Sequence, residues 1–93
     1  MLIYVGKPHN KLIATQEGTG DNLFDEDIKE GIVDYWLSSV YQQNGEEIVL
    51  VDSGQIMTST LIKDMDMGEK IQRILEYWDM TDGEYNILEK EEL

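Results

Sequence analysis

His9 is the only histidine in the chain and there is no cysteine, so nucleophilic catalysis would have to run a Ser-His-Asp scheme through a residue flanked by Pro8 and Asn10. The candidate nucleophiles are Ser38, Ser39, Ser53 and Ser59. None stands at a strand-turn-helix elbow, the geometry that exposes such a hydroxyl beside an oxyanion hole, and Asp52-Ser53-Gly54 has the composition of a β-turn. Paired carboxylates could act as acid and base, but among twenty Asp and Glu close pairs arise by chance and single out no residue. Divalent cations take oxygen ligands at short spacing, which Asp25-Glu26-Asp27 and Asp64-x-Asp66 with Glu69 supply. Counting from Asp64, however, glycine (Gly68) falls fifth, where an EF-hand loop needs a ligand, and Asp66 with Glu69 has the spacing of a helix cap. Gly18 and Gly20 could cradle a phosphate only with a cation nearby, whereas Asp21 and Asp25 to Asp27 follow. The sequence therefore indicates no catalytic residue, no metal site and no cofactor.

Its distinctive chemistry is charge. Twenty acids against seven Lys and Arg give a formal net charge of −13 on 93 residues, which repels nucleic acid and anionic membranes and attracts cationic surfaces. The distribution is uneven: residues 1–16 carry Lys7 and Lys11 and no acid, while acids crowd the stretches Glu17 to Asp34 and Glu76 to Glu92. Duplex DNA, treated as a cylinder, bears about one charge per 100 Å², and a folded chain of this size with its net charge spread evenly bears only about one per 400 Å². Evenly spread acidity cannot mimic DNA; carboxylates gathered on one flank can. The candidate contact residues are Asp25, Glu26, Asp27, Glu30, Asp34, Glu46, Glu47 and Asp52, and the partner would be a protein with a basic, nucleic-acid-binding surface. In size and charge the chain resembles the small acidic inhibitors that phages and mobile elements direct against restriction enzymes, CRISPR effectors or DNA-repair enzymes. That likeness is one of composition, carries no motif, and implies no functional residue. The alternative is a non-enzymatic scaffold or regulatory domain, compatible with a homodimer, whose acidity serves solubility and whose recognition uses an edge strand or an apolar and aromatic surface.

The elements that would position these residues follow from pattern. A hydrophobic fraction of 41% suits a folded core rather than disorder, and the length suits one domain over residues 1–93. Without cysteine, a leader-like start or an apolar run of about eighteen residues, the chain is expected to be soluble and cytoplasmic. Leu2–Val5 and Lys11–Thr15 flank Gly6-Lys7-Pro8-His9-Asn10 and predict a hairpin, with Gln16 to Asn22 as a loop. Asp25 to Gln43 is ambiguous. Ile28, Ile32, Trp36 and Val40 suit a helical stripe, whereas Val33, Tyr35, Leu37 and Tyr41 alternate as on a strand.

The strand is preferred because Asn44-Gly45 is a strong hairpin turn and would pair Tyr41 with Ile48 and Val40 with Val49, apolar against apolar. A second turn at Asp52-Ser53-Gly54 and a strand over Gln55–Ile62 then complete a three-stranded meander over residues 32–62. Met67, Ile71, Ile74, Leu75 and Trp78 make the apolar face of a helix over 67–79, capped by Asp66 with Glu69 and stopped at Asp82-Gly83. Tyr85–Leu88 reads as a last strand. Trp78 belongs to the core side of that helix with Tyr77 at its edge, and Trp36 and Tyr35 point to opposite faces of their strand, which either leaves one of them outside a one-sided core as an anchor for a partner or requires a sheet covered on both faces. The expected fold is α+β: a mostly antiparallel sheet with one amphipathic helix packed on one face.

Overall fold

A computed structural model describes residues 1–20, 33–58, 60 and 62–88. Five antiparallel strands form one sheet, β1 (Leu2–Val5), β2 (Lys11–Gly20), β3 (Val33–Asn44), β4 (Glu47–Thr58) and β5 (Tyr85–Leu88), in the order β4-β3-β2-β1-β5. A 3-10 turn at Ile62–Asp64 leads into the helix α1 (Met67–Tyr77). The α+β expectation holds, with one helix on one face of an antiparallel sheet.

The core forms between α1 and the near face of the sheet. Ile71, Ile74 and Leu75 of the helix close over Ile3, Val5, Ile13, Trp36, Val40 and Ile56, joined by Ile62, Met65 and Met80. Asp66 caps the helix as its spacing predicts: its Oδ1 accepts from the Glu69 backbone N–H at 2.8 Å. The reciprocal half of the capping box does not form, because the Glu69 carboxylate instead accepts from Arg73 one turn on, at 3.4 Å. At the other end the indole N–H of Trp78 donates to the buried hydroxyl of Ser38 at 2.8 Å, fixing the helix to β3.

The helix ends earlier than Asp82-Gly83. Met80 N donates to Leu75 O at 2.9 Å and Asp79 N to Glu76 O at 3.2 Å, the paired bonds of a Schellman motif. That motif needs a left-handed residue, and Asp79 holds it at φ 57, a conformation most side chains adopt at a cost. An aspartate there also faces the negative end of the helix dipole. Asp79→Gly is expected to stabilise the protein by about 1 kcal/mol, a rise in Tm of roughly 4–8 °C. A Tm unchanged or lowered on thermal melting would contradict this reading of the cap.

The sheet corrects the sequence reading in three places, two of them in the region 32–62. First, it is one long hairpin, not a meander, since β4 runs through Asp52-Ser53-Gly54 without turning. The irregularity is a bulge: Val40 pairs with Asp52 and Tyr41 with Leu50, leaving Val51 over. Gly54 serves close approach instead, because a Cβ on it would lie 2.5 Å from the Tyr77 hydroxyl. Second, the hairpin register is shifted by two, with Gln42 against Val49 and Gln43 against Ile48. Gly45, at φ 67, takes the first central position of the turn, the place for glycine in a II′ hairpin. Third, β2 does not give way to a loop after Thr15 but continues to Gly20. Gly18 lies against the Tyr35 ring, where a Cβ would come within 2.3 Å of the aromatic carbons.

Pairing with β2 reaches only as far as Tyr41, so beyond it β3 and β4 continue as a two-stranded arm. Gln42 through Ser53 are all exposed. The described chain is accordingly elongated, 46 × 23 × 23 Å. Among the described residues no helix is long and apolar enough to cross a membrane.

Candidate functional site

Alternation along the strands assigns every side chain of the sheet to a face. The near face carries the core residues and, at its margins, Glu17, Glu47 and Asp52, which pair across the ladder with Trp36, Asn44 and Val40. The far face is built from Leu2 and Tyr4 of β1, Leu12, Ala14 and Gln16 of β2, Tyr35, Leu37, Ser39, Tyr41 and Gln43 of β3, Ile48, Leu50, Ser53, Gln55 and Met57 of β4, and Asn86 and Leu88 of β5. None of these side chains is charged. In a chain where 29% of residues are charged, a sheet face without a charge among the described residues requires explanation. Leu37 is 50% exposed, Leu50 54%, Met57 46% and Ile48 43%, so the β3–β4 part of the face is open and substantially apolar, whereas Leu2 on β1 is buried. A shallow depression of about 240 Å3 between β2 and β3 interrupts it, lined by Ala14, Thr15, Gln16, Leu37 and Ser39.

The acidic residues sit elsewhere, and the structure divides the eight predicted contact residues three ways. Asp25, Glu26, Asp27 and Glu30 lie outside the described residues. Asp34 is a correction: it is buried, 3% exposed, and its Oδ2 accepts from the Ile62 backbone N–H. A carboxylate enclosed by the core offers nothing to a partner. Glu46, Glu47 and Asp52 are exposed on the arm, Glu46 in the turn, and Glu47 and Asp52 on the near face at opposite ends of the arm's β4 segment. Asp52 is turned partly inward on the backbone, its Oδ1 accepting from Ser53 N at 2.8 Å.

Other carboxylates are engaged within the fold. Glu17 meets Lys70 at 3.2 Å, and Glu69 meets Arg73. His9 Nε2 lies 2.6 Å from Asp82 Oδ1, and the side-chain hydrogen bond from the imidazole holds the Asp82 carboxyl below its ordinary value. This pair ties the β1–β2 turn, with its cis Lys7-Pro8 bond, to the segment after α1. The four serines considered as nucleophiles are dispersed: Ser38 is buried under Trp78, Ser39 and Ser53 lie on the far face, and Ser59 lies outside the described residues. Asp64, Asp66 and Glu69 do not converge, and among the described residues no three His, Asp or Glu gather as metal ligands.

The aromatic residues resolve cleanly. Trp36 is wholly buried and Tyr35 takes the far face, as neighbours on a strand must. Trp78 is half-buried against the core, and Tyr77, 48% exposed, meets it edge to face at 4.9 Å.

A second concavity of about 550 Å3 lies between the start of α1 and the β1–β5 edge, lined mainly by Met1, Thr15, Glu17, Met67, Ile87 and Leu88. Thr15, Gln16 and Glu17 give it polar groups, but its one carboxylate, Glu17, is already the partner of Lys70.

The sequence reading does not single out the far face as an uncharged surface, although the signal is present. Tyr35, Leu37, Ser39 and Tyr41 alternate without a charge, and the same alternation marks Ser53, Gln55 and Met57. No family model matches the chain, and neither the curated proteins nor the solved structures contain a match to it.

Proposed function

We propose that this is a small non-enzymatic binding protein of the cytoplasm that occupies a basic, normally nucleic-acid-binding surface of another protein. One observation supports the reading above the rest: no described carboxylate lies on the far face of the sheet, so acidity is withdrawn from one side and concentrated on the others. Spread over 6480 Å², a net charge of −13 amounts to about one per 500 Å², too sparse to compete with phosphates at roughly one per 100 Å². Keeping charge off a face of about 700 Å² raises the average on the remainder only to about one per 450 Å², so the reading rests on local grouping, as of Glu46 beside Glu47 at the tip of the arm. Glu46, Glu47 and Asp52 are placed to lead, because the arm carries them away from the body and from the cations on α1. Their exposure lets them steer a cationic partner over about a Debye length, roughly 8 Å at physiological salt.

The test is capture on the immobilised protein from a lysate cleared of nucleic acid. The captured protein should be displaced by duplex DNA, and its affinity should fall about tenfold or more from roughly 0.05 to 0.2 M salt. Glu46→Lys and Glu47→Lys together should abolish capture with the melting temperature unchanged, since both are exposed at the tip of the arm. Capture that ignores salt and DNA would instead support an interaction domain whose acidity serves solubility alone. The exposed Leu37, Leu50 and Met57 favour that second reading.

A further inference from the structure

We infer that the far face of the sheet is the interface of a two-fold homodimer. This inference is independent of what the acidic flank binds. Two chains that each carry −13 repel wherever their carboxylates meet, and like charges brought together at a contact work against it. The far face is the surface on which such chains can touch without that conflict. The near-face carboxylates stand back from it by the thickness of the sheet, and at physiological salt their mutual repulsion is screened beyond about 8 Å. A basic partner, by the same logic, is drawn to the opposite flank and finds no charge to recognise here.

The area fits a weak, concentration-dependent dimer. Five strands spaced about 4.8 Å apart, the two longest of 12 residues rising about 3.3 Å each, give a footprint on the order of 700 Å², of which the β1 part, around Leu2, is already buried. A standard protein interface takes roughly 800 Å² from each partner, so this face lies at the low end of the range. The surface is also self-complementary in the way a two-fold axis demands, where one patch must fit itself. Leu37 projects, half exposed, at the rim of the depression beside Ala14 and Ser39. A copy rotated about an axis through that point places its own Leu37 in the depression and receives the first in return. Tyr35, Tyr41, Met57 and Leu50 surround this centre, residue types that stable interfaces bury.

Sedimentation velocity and light scattering on the full chain, from about 1 to 100 µM, decide the matter. The expected result is a particle of twice 10.7 kDa that tightens as salt is raised, because screening relieves the residual repulsion. Leu37→Asp and Leu50→Asp, both at half-exposed positions, should each weaken the dimer by about a hundredfold or more, with the circular dichroism melt retained. A particle of 10.7 kDa at the highest concentration would overturn the inference. So would a dimer that loosens with salt, or one that survives both Leu37→Asp and Leu50→Asp, which would mean that the chains meet on another surface, such as the β4 edge. None of these readouts involves the basic partner, so the dimer and the proposed function fail separately.

Discussion

Ile74→Ala should cost about 3 kcal/mol of folding stability, within the roughly 2–5 kcal/mol seen when a fully buried Ile or Leu is truncated. Ile74 is wholly buried at the middle of the helix face that closes over the sheet. Three terms set the size. Transfer of the lost methylenes back to water is one, at about 0.8 kcal/mol each. The unfilled cavity is the second, since Trp36, Ile3 and Ile13 below it belong to strands whose ladder bonds resist collapse. The third is that an 11-residue helix is marginal without tertiary packing, so loosening its central contact loosens all of it. A domain of this length has about 5–14 kcal/mol in total, so the variant should still fold, with Tm lowered by roughly 10–20 °C and an unchanged urea m-value. Ile48→Ala on the exposed arm is the comparison, expected to stay within about 0.5–1 kcal/mol. Equal losses at the two positions would mean that α1 does not carry the core.

Those two residues also show what the amino-acid pattern reveals and what it hides. The helix was legible because four independent signals agree over Met67–Tyr77: a cap at Asp66, an apolar stripe, a charged opposite side, and a stop within a few residues. β1, the start of β2 and β5 were legible for a similar reason, each being a short apolar run between turn-forming residues. The arm was not. Its register was inferred by matching apolar residues across the hairpin, yet Ile48, Val49 and Leu50 are exposed, and where neither face is buried that matching has no hold. The turn residue Gly45 decides instead.

The glycines misled in a consistent way. The glycine pattern predicts a loop at Gly18 and a turn at Gly54, but each lies within a strand against a tyrosine ring, Tyr35 and Tyr77 respectively. A glycine marks backbone freedom or the absence of a side chain, and only the tertiary partner tells which. For the candidate site the limit is different again. Charge density along the chain put Asp34 beside Glu30 and Asp27, while alternation with Trp36, Ser38 and Val40 put it on the core side. The second signal was the physical one, because a strand with one buried face has no choice about where every second residue goes.

Asp34→Ala should therefore be a stability variant, not a binding variant. Its Oδ2 accepts the backbone N–H of Ile62, the first residue of the 3-10 turn that carries the chain from β4 towards α1. Ile62 and Met65, on either side of this turn, are both in the core, so the N–H is enclosed and has no water to turn to. Removing the carboxylate removes a charge-assisted bond and leaves a buried donor unpaired, a loss of about 2–3 kcal/mol. The corresponding fall in Tm is roughly 10–20 °C.

Asp34→Asn retains an oxygen that accepts from Ile62 and should lose less, because only the assistance of the charge is forfeited. Oδ1 has no partner among the described residues, which leaves that side of the group to be desolvated whatever stands there. The diagnostic is the pair of readouts taken together. If Asp34→Ala and Glu47→Ala are measured side by side, thermal melting should separate them, with only the first shifted. Basic-partner affinity at a temperature where both are folded should separate them in the opposite sense. A variant at Asp34 that melts normally and binds poorly would return this residue to the interface and show that the turn at Ile62 is held by something else.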